Sequence, residues 1–103
     1  MSFIQTQNML IKFESPASGS FITTENTAEK IVEAISKSDP LEGIITSSEV
    51  PRILYSLELK IEQEKKNRSD QQKGIGISQR FFPLVEMLKR AKTKKEFVMW
   101  RKV

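Results

Sequence analysis

The residues with the clearest binding chemistry are cations gathered near the end of the chain, in the stretch KRAKTKKEF (89–97). Residues 65–103 carry 12 Lys or Arg against 3 Asp or Glu, whereas residues 1–64 carry 5 against 10. Such a basic segment can bind polyanions, and an exposed Trp100 could stack on nucleic-acid bases. The predicted binding residues are Arg80, Lys89, Arg90, Lys92, Lys94, Lys95, Trp100 and Arg101.

A simpler interpretation of the same residues needs no ligand. Cations near the end of a helix interact favourably with the helix dipole. The acidic and basic halves can also pack against each other or pair within a dimer, because charge segregation speaks to association and not to fold. Trp100 then packs at the edge of a sheet, since aromatic residues dominate small cores. The charge pattern favours this interpretation and leaves the first one open.

Catalytic chemistry has little support in the sequence. The chain has no histidine and no cysteine, which removes the usual nucleophile–base pairs, disulfides and the commonest metal ligands. Glu58 and Glu62 lie four residues apart, with Glu86 on another predicted helix, but solvated positions explain them better than a metal site does. We therefore predict a protein that is not an enzyme and holds no cofactor or metal.

A glycine pair in the stretch KGIGIS (73–78) offers one further binding feature. It precedes a predicted helix, and the free N–H groups at a helix start attract anions. The full phosphate-loop and dinucleotide patterns are missing, and no strand precedes the glycines. A flexible joint is the better interpretation, and a small anion or nucleotide at Gly74–Ser78 is the weaker alternative.

Hydrophobic periodicity predicts the elements that must position these residues. Met9–Glu14 alternates as a strand, and residues 21–24 form a second strand that closes a hairpin. Residues 26–37 have helical spacing, with Asn26 or Thr27 as the N-cap. A second helix follows a capping box over Thr46–Glu49. Its apolar stripe is Val50, Ile53, Leu54, Leu57 and Ile61.

The third predicted helix leads into the basic stretch at residues 89–97. Ser78 is its predicted N-cap, and Pro83 implies that the regular helix starts near Phe82 or has a bent first turn. Glu86 and Arg90 have the spacing of a surface ion pair. The predicted buried face comprises Phe81, Leu84, Val85, Leu88 and Ala91. A final strand over residues 96–101 pairs with the hairpin.

Together the elements predict an α+β fold. A small antiparallel sheet, made of the N-terminal hairpin and a C-terminal strand, packs against three helices in the order β-β-α-α-α-β. The 103 residues suit a single domain over 9–103 with a polar linker near 64–77. No apolar run is long enough to span a membrane, and no signal-peptide pattern is visible. A cytoplasmic location is the default expectation.

Several short stretches carry a family likeness. They are Met9–Ile11, Phe13, Ser15, Gly43–Ile45, Pro51, Ser78, Arg80, Pro83–Arg90 and Trp100. Together they resemble the short bacterial proteins of domain-of-unknown-function family 1840, over nearly all of residues 9–103. The resemblance implies a cytoplasmic bacterial domain of unassigned function, with Met9 as the natural start and residues 1–8 as an optional, disordered extension. Ser20, where the family tends to have Asp, and the tail WRKV depart from the pattern.

The functional expectation is a non-catalytic interaction module. It binds a protein partner or a second copy of itself, through a sheet edge or the surface of the third helix. The alternative is a nucleic-acid-binding accessory protein that uses the basic final third of the chain. No membrane partner is expected.

Overall fold

The computed structural model describes residues 9–67 and 77–103. In these residues the chain forms four strands, β1 (Leu10–Ser15), β2 (Gly19–Thr24), β3 (Glu42–Ile45) and β4 (Val98–Lys102). It also forms three helices, α1 (Glu25–Ala34), α2 (Val50–Asn67) and α3 (Ile77–Lys94). The order along the chain is β1-β2-α1-β3-α2-α3-β4. The extension predicted over residues 1–8 lies outside the described residues.

The four strands form one antiparallel sheet in the order β2-β1-β4-β3. The predicted α+β fold is confirmed, and so is the pairing of the C-terminal strand with the hairpin. β3 is an additional strand that the predicted order β-β-α-α-α-β lacked. It was not recognised because only Ile45 of its four residues is buried, so the segment has no clear alternation of apolar and polar residues.

One hydrophobic core lies between the sheet and the helices. Neighbouring strand residues point to opposite faces of the sheet, and Ile11, Phe13, Val98 and Trp100 point into the core. The five residues predicted for the buried face of α3 are all buried, as is the predicted stripe of α2 up to Leu57. Ile61, the last residue of that stripe, is partly buried against the core.

A row of aromatic side chains crosses the core face of the sheet. The ring centroid of Phe13 lies 5.1 Å from that of Phe21 and 5.6 Å from that of Trp100. The indole Nε1 of Trp100 donates a hydrogen bond to the Asp39 carbonyl at 2.8 Å. Its six-membered ring covers Gly43, where an added Cβ would lie no more than 2.8 Å from three ring atoms. Trp100 is thus buried in an interior strand, neither at the sheet edge nor exposed to stack on a base.

The start of α1 differs from the prediction. Its N-cap is Thr24, whose hydroxyl accepts a hydrogen bond from the Thr27 N–H at 3.3 Å, so the predicted caps Asn26 and Thr27 are wrong. Thr24 is also the last residue of β2 and pairs with Leu10. The strand therefore passes into the helix without a loop, an arrangement that local sequence preferences do not reveal.

The predicted capping box at the start of α2 is half formed. The Glu49 carboxylate accepts a hydrogen bond from the Thr46 N–H at 2.9 Å, as predicted. The Thr46 hydroxyl instead lies 3.2 Å from the Ser48 hydroxyl, and the Glu49 N–H bonds to the Thr46 carbonyl. The Thr46 N–H is thus bonded to a side chain, and the Glu49 N–H is bonded to the backbone.

The start of α3 also corrects the prediction. The helix begins at Ile77, before the predicted cap Ser78 and well before Pro83. Pro83 lies on the exposed side, where water can bond to the Gln79 carbonyl that the proline ring leaves without a donor. α2 continues to Asn67, so residues 64–67 of the predicted linker are helical. Residues 68–76, which include most of the predicted anion site at Gly74–Ser78, lie outside the described residues.

Candidate interaction surfaces

Five of the eight predicted binding residues lie together at the end of α3. Lys89, Arg90, Lys92 and Lys94 are exposed on its last two turns, and Lys95 follows the helix. We call these five residues the basic end of α3. Arg80 is exposed nine residues before Lys89, which is roughly 13 Å along a helix axis. Arg101 lies in β4 and Trp100 is buried, so neither belongs to this surface.

Within residues 9–67 and 77–103, one carboxylate forms an ion pair with the basic end of α3. Lys89 pairs with Glu86 at 3.5 Å, in place of the predicted pair between Glu86 and Arg90. The ion pairs formed between described residues do not involve the other four cations, Arg90, Lys92, Lys94 and Lys95. Among the described residues, the basic end of α3 therefore forms no ion pair with the acidic residues of 1–64, whereas Arg101 of β4 pairs with Glu14.

A hollow of about 230 Å³ lies between the basic end of α3 and the turn that joins β1 to β2. Its lining is Ala17, Lys89, Arg90, Thr93 and Lys94. Three of these five side chains are cations and none is acidic. The Thr93 hydroxyl donates to the Lys89 carbonyl at 3.1 Å, which leaves its oxygen able to accept a further bond.

The backbone at the basic end of α3 is fixed by its C-terminal cap. Lys95 has a left-handed backbone with a φ of 60°. Its N–H bonds to the Lys92 carbonyl at 3.3 Å, and the Glu96 N–H bonds to the Ala91 carbonyl at 2.9 Å. These two bonds form a Schellman motif, which satisfies the last carbonyls of the helix. The cations therefore project from an ordered turn.

A second surface is the face of the sheet that points away from the helices. Because strand residues alternate, it is formed by the neighbours of the core-facing residues. We call it the open face, and it comprises Leu10, Lys12, Glu14, Ser20, Ile22, Thr24, Glu42, Ile44, Met99 and Arg101. The described helices pack against the opposite face.

Three large aliphatic side chains are exposed on the open face. Leu10 is 45% exposed, Ile22 53% and Ile44 46%. Between them, Arg101 donates from Nε to Glu14 at 3.1 Å. The predicted binding role of Arg101 thus falls on this surface and not on α3. Sequence reasoning missed the surface because its outer strand β3 was not predicted; the exposed Leu10 in β1 was the available signal.

The three glutamates considered for a metal site line a groove between α2 and α3. The groove measures about 280 Å³ and combines Glu58, Glu62 and Glu86 with Lys65, Lys89, Ile61, Val85 and Phe82. Within the described residues no three acidic side chains come close enough to hold a metal ion. The mixed charges give this groove no preference for an anion or a cation.

A polar cluster at the start of α2 has a structural role. Lys37 Nζ lies 3.1 Å from both carboxylate oxygens of Glu49. The hydrogen bond from the Thr46 N–H, followed by the contact with Lys37, lowers the pKa of the Glu49 carboxyl below its ordinary value. The cluster ties the segment after α1 to the start of α2, and its cation and carboxylate satisfy each other.

Comparison with known proteins identifies a family and no relative of known activity. In the parts of the chain that the structure describes, no helix is long and apolar enough to cross a membrane. No curated protein and no solved structure is a significant match. The profile described as Domain of unknown function (DUF1840) matches residues 9–100. Since the match spans nearly the whole chain, the protein belongs to the DUF1840 family.

Proposed function

We propose that this chain is a non-catalytic interaction module that forms a dimer through the open face of its sheet. The supporting observation is the exposure of Leu10, Ile22 and Ile44 on that one face, at 45–53% each. A sheet with one solvated face normally alternates apolar residues inside with polar residues outside. Leu10 and Ile22 are diagonal neighbours and Ile44 lies on the far strand, so exposed apolar residues flank the charged centre of a face that a partner could cover.

The charges of the open face suit a second copy of the same chain. Two rows of side chains cross it; the first holds Ile22, Lys12, Arg101 and Glu42, and the second holds Ser20, Glu14, Met99 and Ile44. The first row has a net positive charge and the second a net negative charge. A two-fold axis between the rows, parallel to the sheet and perpendicular to the strands, places Lys12 of one copy over Glu14 of the other, and the same pair forms twice. The same axis places Ile22 over Ser20 and Ile44 over Glu42.

Two other surfaces, α3 in a parallel pairing and the β3 edge of the sheet, are less suited to self-association. Pairing α3 with its own copy in a parallel arrangement would bring together two basic ends, whose like charges repel. The outer strand β3 has only four residues, which limits pairing along that edge. The open face measures roughly 15 by 20 Å from strand spacing and rise. It is smaller than the ~800 Å² per partner of a stable interface, so we expect a weak, reversible dimer.

The test is sedimentation velocity of the wild type and two leucine variants over a wide concentration range. Leu10→Lys places a charge on the open face, and we expect dimerisation at least tenfold weaker because apolar burial is lost. Leu59→Lys on α2 is the matched control, because Leu59 is 46% exposed and Leu10 is 45% exposed. A wild type that stays monomeric at high concentration contradicts the proposal, as does a loss of the dimer in Leu59→Lys alone.

A charge exchange tests the orientation of the two copies. Lys12→Glu puts like charges across the two-fold axis and should weaken the dimer. The double variant Lys12→Glu/Glu14→Lys restores opposite charges there. In the monomer, Arg101 lies opposite position 12, so the double variant still gives Arg101 an acidic neighbour. Recovery of the dimer supports this axis, and no recovery shows that the copies pair in another orientation.

We further propose that this association takes place in the cytoplasm. A chain without cysteine cannot form disulfides, so an oxidising compartment would not stabilise it in that way. Fractionation of cells that produce the untagged protein tests the location, and recovery outside the cytoplasmic fraction contradicts it.

A further inference from the structure

The basic end of α3 carries more positive charge than interaction with the helix dipole accounts for. Five of the seven residues 89–95 are Lys or Arg. The helix dipole favours cations only within the last turn. Arg90 and Lys94 lie four residues apart, where like charges destabilise a helix. The ion pairs between described residues include neither Arg90 nor Lys94, so none of those pairs offsets this repulsion.

We infer that the basic end of α3 binds the phosphate backbone of nucleic acid, independently of the proposed dimer. The hollow beside it gathers Lys89, Arg90 and Lys94 around Thr93. Arg and Lys side chains are donors that commonly contact phosphate oxygens. The supporting turn is held by buried Leu88 and Ala91, each 0% exposed, and by the Schellman motif.

Nucleic acid fits this surface better than an acidic protein segment does. A duplex presents one phosphate charge for about every 1.7 Å of its axis, a density that can engage several cations of one short helix end. The buried Trp100 provides no stacking platform, so binding depends on the backbone and not on the bases. α3 packs on the core face of the sheet, opposite the open face, so a face-to-face dimer leaves both basic ends accessible.

The test is fluorescence anisotropy of a labelled duplex of arbitrary sequence, titrated with the full chain at several salt concentrations. Four cations without a described partner give an expected slope of log K against log salt of about −3.6, at about −0.9 per neutralised phosphate. Arg90→Ala/Lys94→Ala removes two of them, so the slope should fall to about −1.8, with affinity at least tenfold weaker at low salt.

The matched control is Lys30→Ala/Arg52→Ala, which removes the same two residue types from exposed positions on α1 and α2. We expect it to retain the wild-type slope. No binding at low salt overturns the inference, as does an equal loss in the two double variants, which indicates general charge attraction. Equally tight binding of polyglutamate, with the same dependence on Arg90 and Lys94, overturns the assignment to nucleic acid. Sedimentation of Arg90→Ala/Lys94→Ala should show the wild-type association state.

Discussion

Gly43 lies beneath the indole of Trp100, and its substitution by alanine tests the packing of the sheet. Gly43 has an ordinary φ, so the space above it, and not its backbone conformation, excludes a side chain. A methyl group there would lie within 2.8 Å of three indole atoms, below the ~3.5 Å of ordinary contact between carbon atoms. The indole must therefore shift, which disturbs its hydrogen bond to the Asp39 carbonyl and its packing against Phe13 on the neighbouring strand β1.

The expected cost follows from three contributions. Overpacking of a core costs about 1–3 kcal/mol, and loss of the Trp100 hydrogen bond adds about 0.5–1.5 kcal/mol. Alanine recovers about 0.5–1 kcal/mol relative to glycine in a strand. We expect Gly43→Ala to lower the free energy of unfolding by about 2 kcal/mol, which corresponds to a melting temperature lower by roughly 8–16 °C.

The assay is urea unfolding followed by circular dichroism, because the comparison requires a variant without tryptophan. Trp100→Phe removes the outer indole atoms Cζ2 and Cη2 that lie over Gly43, so adding Gly43→Ala should cost less than about 0.5 kcal/mol there. Gly19→Ala is the control, because no atom lies within 4 Å of its added Cβ and its cost comes from a φ of +93°. Its cost should be equal in both backgrounds. An equal cost of Gly43→Ala in the two backgrounds would refute the proposed contact.

Two further predictions concern buried or partly buried polar groups. Because the pKa of Glu49 is lowered in the folded state, its contribution to stability is complete above its ordinary pKa and is lost as pH falls through the lowered value. Acid should therefore destabilise the wild type more steeply than Glu49→Gln; equal pH dependence would contradict this. Ser15 donates to the Phe97 carbonyl at 2.7 Å and accepts from the Ala17 N–H at 3.2 Å. Ser15→Ala should cost about 1–3 kcal/mol in urea unfolding, and a change near zero would show that water replaces both bonds.

The parts of the fold that follow from the sequence are those with a strong local period. The α3 face from Phe81 to Ala91 and the alternation around Phe13 each record a single buried side of one element. β3 has no such alternating pattern, because Gly43 leaves room for the indole of Trp100 and Ile44 faces outward. Its strand conformation depends on pairing with β4, whose residues lie more than fifty positions away in the chain.

The candidate surfaces could likewise be predicted only in part from the sequence. The cations from Lys89 to Lys95 could be grouped from sequence because one helix end carries them all. Arg101 could not be separated from them without the strand register, which places it on the open face beside Glu14. The open face itself depends on four strands pairing in the order β2-β1-β4-β3, so no single stretch of sequence reveals it.

The position of β4 has a consequence for folding during synthesis. β3 joins the sheet only by pairing with β4, and β4 is the last of the four strands to leave the ribosome. At about 5–20 residues per second, the 52 residues between β3 and β4 take roughly 3–10 s to synthesise. During that interval the β1–β2 hairpin exposes the edge of β1 and the ring of Phe13. A nascent chain stalled before Val98 therefore presents an unpaired strand edge, the surface that chaperones and aggregation compete for.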